Sequence, residues 1–239
     1  MTWSILAHEP ATGAFAVAVT TCAFAVGASC PHVRSGVGAV STQSLTNAYL
    51  GPAVLDAMGR GLPPARAIEA ALGPDEGRHL RQVHAVDCQG RTAAWTGRHC
   101  VTWCGERTGE HLSVAGNMLA GPEVVGATFD TFEARTDLAL PERLMAALEA
   151  GEAAGGDRRG KQSAAMLLTT TEDFPDLNLR VDDHADPLPE LRRLLALWRQ
   201  NWPPRKTWAP SKANPSGCTD LDAIEAAWKA RGLDIRLRR

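Results

Sequence analysis

Thr2 stands directly after the initiator Met1. If Met1 is removed, which a small second residue permits, one residue carries both a hydroxyl and an α-amine. An α-amine has a reference pKa of about 7.7–8.0, so part of it is neutral at pH 7. That fraction can accept the hydroxyl proton and turn the threonine into a nucleophile. An ordinary processed terminus has the same beginning. What sets this one apart is that Thr2 opens an apolar run that reads as a buried strand rather than a frayed tail.

Three further segments carry residues with chemistry in them. Gly155-Gly156-Asp157-Arg158-Arg159-Gly160-Lys161-Gln162-Ser163 comes close to a P-loop, but Gln162 stands where Ser or Thr would bind magnesium. A helix is expected before it and a strand after it, the reverse of the P-loop order. A glycine-rich turn with Arg158 and Arg159 open to a carboxylate or a structural ion pair fits better, as does a helix C-cap and solvated turn. Asp182-Asp183-His184 could orient an imidazole or bind a metal, while Asp186-Pro187 beside it suits the start of a helix. Gly116-Asn117 marks a strand-to-helix turn, where Asn117 is either an amide donor to an oxyanion or a plain turn residue. GxSxG and HExxH motifs are absent.

The six cysteines, Cys22, Cys30, Cys88, Cys100, Cys104 and Cys218, read as reduced. Cys100 and Cys104 lack a second pair at zinc spacing, so neither a metal nor a cofactor is expected. A thiol enzyme using Cys22 or Cys30 with His32 is a further reading.

The elements that must position these groups follow from periodicity and turn chemistry. Residues 2–8 and 14–20 read as strands around the Pro10-Ala11-Thr12-Gly13 turn, and residues 36–42 as another. Runs apolar on both parities suit a sheet covered on both faces. Helices are expected over residues 52–58, from Pro63-Pro64, and over 122–135, 141–150 and 187–199. Residues 83–87 with 92–95 form a hairpin, a strand near 111–115 leads into Gly116-Asn117, and 163–170 and 177–181 return to strand. Hairpins in place of strict βαβ alternation argue for antiparallel sheets with helices outside them. Residues 1–199 form the body. Residues 200–239 are an extension, a Pro- and Trp-rich linker followed by a short helix with Leu221, Ile224, Ala227 and Trp228 on one stripe. So short a helix must dock on the body or on a second subunit, which makes a homo-oligomer one expectation.

Composition narrows the function classes. The 239 residues are 44% hydrophobic, enough for one sizeable core. The 25 basic and 27 acidic residues leave a formal charge of −2, which favours neither nucleic acid nor an acidic membrane surface. The N-terminal residues do not read as a secretory signal, and apolar stretches are too short to span a bilayer, so a cytoplasmic protein with a small-molecule substrate is expected.

Met1-Thr2-Trp3-Ser4-Ile5, Gly116-Asn117-Met118-Leu119, the Gly155 to Ala165 run and Leu179-Arg180-Val181-Asp182-Asp183-His184 together resemble the bacterial family known as domain of unknown function 1028, over roughly residues 2–198. That family resembles the N-terminal-nucleophile (Ntn) hydrolase superfamily. The resemblance implies an α+β, four-layer αββα sandwich with antiparallel sheets between outer helices. It also implies Thr2 as a nucleophile cleaving a small or linear amide bond. Asn117 and Asp157 would then be catalytic, and Arg158, Gln162, Ser163, Asp182 and His184 would contact substrate. The first half contains no lysine, so the basic residue of proteasome-type sites has no counterpart there. The other expectation is a non-catalytic protein of the same fold that binds a small anionic ligand or serves as an assembly scaffold.

Overall fold

The computed structural model describes residues 2–232, without the side chains of residues 203–205. The chain opens with the hairpin β1 (Thr2–Glu9) and β2 (Ala14–Thr21), then β3 (Pro31–Arg34) and β4 (Gly38–Ser44). The helices α1 (Leu50–Gly59) and α2 (Pro64–Leu72) follow, then β5 (Arg81–Asp87), β6 (Thr92–Thr96), β7 (Gly105–Gly109) and β8 (Leu112–Asn117). After α3 (Glu123–Ala134) and α4 (Leu140–Ala153) come β9 (Ser163–Thr169), β10 (Leu177–Val181), α5 (Pro187–Arg205) and α6 (Leu221–Lys229). The strands form two antiparallel sheets, ordered β10-β9-β2-β1-β8-β7 and β3-β4-β5-β6.

Each sheet has a helical face and a face against the other sheet. On the four-stranded sheet, Val54, Leu55 and Met58 of α1 and Ile68 and Leu72 of α2 bury against Val40, Val83 and Ala85. Between the sheets, Leu6, Phe15 and Val17 meet Ala39 and Val86. On the outer face of the six-stranded sheet lie α3 and α4, with the Trp3 indole beside Gly151 of α4. The fold is therefore the α+β four-layer sandwich expected. Strand alternation explains why β1 is buried on both parities: Thr2, Ser4 and Leu6 face the other sheet, while Trp3, Ile5 and Ala7 face the helices.

The structure departs from the sequence reading at four elements. β3 and β7 were not anticipated; both are edge strands, opening on Pro31 or carrying Glu106-Arg107-Thr108 without apolar alternation. The strand expected from residue 36 starts at Gly38, because Gly36 has φ +70 and Val37 N–H closes a turn on Arg34 O. The last long helix continues beyond residue 199 to Arg205.

The chain divides into two compact units, residues 1–195 and 196–239. Within the second, Asp220 is the N-cap of α6, its carboxylate accepting the Asp222 and Ala223 N–H groups at 3.1 Å. Trp208 lies 5.9 Å from Trp228 and under the Arg231 guanidinium. Among the described residues, no helix is long and apolar enough to cross a membrane.

Candidate functional site

Thr2 lies at the start of a central strand, and register fixes its neighbours. It pairs with Asn117 of β8, and the Trp3–Thr20 pair of β1 and β2 sets Thr21 beside it. Thr21 in turn pairs with Ser163 of β9. Four adjacent strands thus end in one polar row, Ser163, Thr21, Thr2 and Asn117, on the face toward the second sheet. Thr2 is only 6% exposed, and its Oγ1 lies 3.2 Å from Thr21 Oγ1.

A polar frame buried between the sheets holds this row. Gln43 Nε2 donates to the carbonyl oxygens of Thr2 (3.3 Å) and Ala115 (3.1 Å) and to Gln82 Oε1 (2.8 Å). Asn117 Nδ2 donates to the same Gln82 oxygen (3.0 Å) and, more weakly, to the Thr2 carbonyl (3.4 Å). Gln82 Nε2 donates to Gly116 O and Thr96 Oγ1, both at 2.8 Å. The three amides fix one another's orientation and satisfy one another, as burial requires.

The frame continues inward to His84. Ser4 Oγ lies 2.7 Å from Gln43 Oε1 and 2.7 Å from His84 Nε2, and His84 Nδ1 lies 2.8 Å from Ser113 Oγ. Gln43 Oε1 can only accept, so the Ser4 proton goes there. Nε2 then donates to Ser4, and Nδ1 accepts from Ser113. His84 is fully buried, and that desolvation pushes its pKa down to about 3, so the ring is neutral.

Asp157 occupies a distinctive place. It forms a β-bridge with Leu119, two residues past the end of β8, and its Oδ2 accepts the N–H of Cys22, one residue past β2 (2.9 Å). Since β1 lies between β2 and β8, Asp157 spans the gap at the end of β1 where Thr2 begins. Its side chain is buried, with Oδ1 on Arg159 N–H (2.8 Å) and Oδ2 3.2 Å from the Arg159 guanidinium.

The other candidate residues divide. Ser163 is buried and structural: its hydroxyl donates to Ala23 O (2.6 Å) and accepts Val26 N–H (3.1 Å). Gln162 ties three segments together through Thr21 O, His184 N–H and Asp183 Oδ1. Asp182 pairs with Arg180 at 2.9 Å, and its carbonyl accepts Ala25 N–H. His184 is exposed, its Nδ1 against the Asp186 backbone. Arg158 is exposed and, among the described residues, makes no hydrogen bond or ion pair. The turn therefore joins Asp157, Gln162, Ser163 and Asp182 to the Thr21 end of β2, and leaves Arg158 and His184 at the surface. Lys161, where a P-loop lysine would stand, is bound by Asp186 (2.9 Å) and Glu152 (3.3 Å).

Sequence reasoning missed Thr21, Gln43, Gln82 and His84. A signal existed: Ser41-Thr42-Gln43, Gln82 and His84 are polar residues in strands otherwise buried on both faces.

The thiol reading loses its geometry at Cys30. Burial raises the Cys30 thiol to about 11, and His32 Nε2 is bound to Ser29 O at 3.1 Å. Cys100 and Cys104 direct their sulfurs to the carbonyls of Arg81 and Cys100, and the described residues contain no group of three ligands able to hold a metal. Two clefts, of about 370 Å³ between α2 and β6 and about 250 Å³ around His8 and His111, lie away from Thr2.

Residues 2–191 match the sequence model of a family described as "Family of unknown function (DUF1028)". A crystal structure assigned to the same family, protein SPO2555 from Silicibacter pomeroyi, is 33% identical and superimposes with a TM-score of 0.85, over 92% of this chain and 96% of that one. Anbu (ancestral beta-subunit) from Yersinia bercovieri aligns over 83% of this chain and 97% of its own, with 10% identity and a TM-score of 0.37. No protein with a curated description matches the chain.

Proposed function

We propose, from the premise that this chain belongs to the DUF1028 family, that it is an N-terminal-threonine amidohydrolase acting on a small or linear C–N bond. The observation that carries this reading is Thr2 at the head of a central strand, its carbonyl held by Gln43 and Asn117 and its hydroxyl beside Thr21. The family's resemblance to Ntn hydrolases supports it by analogy of fold, and fold does not fix function.

In this mechanism the neutral α-amine of Thr2 takes the Oγ1 proton as Oγ1 attacks the amide carbonyl. Asp157, in the gap before Thr2, stabilises the ammonium that forms. The C–N bond breaks, the leaving amine takes the proton, and water hydrolyses the resulting ester. Asn117 acts chiefly as a positioning residue, since both of its amide hydrogens are engaged. Gln162, Ser163 and Asp182 shape the rim, and Arg158 and His184 stand where a substrate could meet them. A cytoplasmic location, a body of residues 1–199 with a C-terminal extension, and homo-oligomerisation complete the proposal.

The test begins with intact mass and N-terminal sequencing of the purified protein. A chain starting at Thr2 is expected. Quantitative retention of Met1 leaves no free amine on Thr2, and the reading of a non-catalytic ligand binder then replaces this one. With a substrate from an amide screen in hand, Thr2→Ala is expected to lower kcat/KM by at least about 10³-fold, as loss of a nucleophile does.

A further inference from the structure

The segments that leave the strand ends around Thr2 each carry exposed large apolar side chains. Phe24 is 70% exposed, Leu45 59%, Tyr49 86% and Val101 42%. Phe24 follows Thr21 by three residues, in a turn pinned on both sides, by Cys22 N–H on Asp157 and Ala25 N–H on Asp182 O. Leu45 and Tyr49 follow Gln43, and their segment is held by Leu45 N–H on Leu80 O and Thr42 Oγ1 on Asn47 O. The Val101 carbonyl accepts the N–H of Met118, the residue after Asn117, at 2.8 Å. Each segment is thus anchored next to a residue that touches Thr2: Thr21, Gln43 or Asn117. Arg158, adjacent to Asp157, adds an exposed guanidinium without a protein partner among the described residues.

Single exposed apolar residues are ordinary, but these four all lie on segments that leave the end of the sandwich where Thr2 begins. Backbone hydrogen bonds hold these segments in place, so the side chains cannot retreat into the core to escape water. A ligand that covers them recovers that apolar burial. A free guanidinium at the rim matches a carboxylate, the anion it binds in bidentate geometry. We infer that the Thr2 site is built for amides that carry a bulky apolar group and a carboxylate, the first covered by Phe24, Leu45, Tyr49 and Val101 and the second taken by Arg158. The inference rests on the hydrolase reading for its reaction, but its recognition can be measured without turnover.

Octanoate, 4-phenylbutyrate, octanamide and acetate are titrated calorimetrically into the full chain. Octanoate and 4-phenylbutyrate are expected to bind at least tenfold more tightly than acetate and octanamide. The double variant Leu45→Ser/Tyr49→Ser should weaken octanoate about tenfold, and Arg158→Gln should remove its advantage over octanamide. All three substitutions are at the surface, and unchanged melting temperatures would confirm intact folding. Equal binding of acetate and octanoate, or variants that bind octanoate like the wild type, overturn the inference and leave the Thr2 nucleophile standing. The apolar preference together with a Thr2→Ala enzyme of full activity would instead sink the hydrolase reading and keep the recognition. Loss of a dimer in sedimentation by the double variant, with octanoate binding untouched, would assign the rim to a second copy of the chain and overturn the inference as well.

Discussion

Thr2 and His84 are two ends of one polar frame with opposite demands. In the proposed hydrolase, Thr2 needs a group that exchanges protons near neutrality. His84 must not protonate, because Ser4, Gln43 and Ser113 are arranged around a neutral ring. In the folded protein its pKa is about 3, against 6.5 for an ordinary imidazole. The unfolded chain therefore takes up this proton first as the pH falls. The stability that His84 contributes is complete above about pH 6.5 and is lost progressively toward pH 3. Urea unfolding between pH 8 and pH 4 tests this. His84→Gln should be less stable at pH 8 by about 1–3 kcal/mol, because hydroxyls packed around the ring lose partners. It should also show a shallower decline below pH 6.5 than the wild type. An identical decline in both proteins would mean that other groups govern the acid limb.

At the scale of elements, α4 approaches the six-stranded sheet through a glycine. Gly151 is buried in α4, and a Cβ there would meet Thr128 Oγ1 of α3 and lie 2.8 Å from the Trp3 indole nitrogen. Trp3 is fully buried one residue from Thr2, so this contact also braces the strand that presents the proposed nucleophile. Gly151→Ala is expected to destabilise by about 1–3 kcal/mol, since overpacking outweighs the better helix propensity. Gly126 of α3 has open space where its Cβ would be, so Gly126→Ala should stabilise by up to about 1 kcal/mol. Thermal unfolding of the two variants reads this directly: shifts of the same sign would show that the tight approach at Gly151 does not govern packing. Edge strands were the elements least legible from sequence. β7 carries exposed charged residues and β3 begins with proline, and neither pattern announces a strand until a neighbour supplies the hydrogen bonds.

Across the whole molecule the two compact units differ in how much they bury. β1, β2 and β8 are almost wholly inaccessible, whereas no residue of α6 is buried. Local stability follows burial, so amide exchange should be fastest in α6 and slowest in the three central strands. Protection in α6 equal to that of β1 would mean that a partner covers the helix. The sequence by itself determined what depends on local pattern: the N-terminal hairpin, the two helix pairs, the antiparallel class, and Thr2 and Asn117 at the ends of strands. Those readings hold because alternation, helical stripes and turn residues act over a few neighbours. It also placed Asp157 in a glycine-rich turn, without the place that turn occupies beside Thr2. Only the tertiary structure decided the frame around the candidate nucleophile. Gln43 reaches Thr2 across 41 positions of chain, and Asn117 across 115. Such partners are chosen by sheet register and by the stacking of one sheet on another. A buried amide becomes a support for Thr2 only when two strands far apart in sequence bring it there and leave it no water to bond instead.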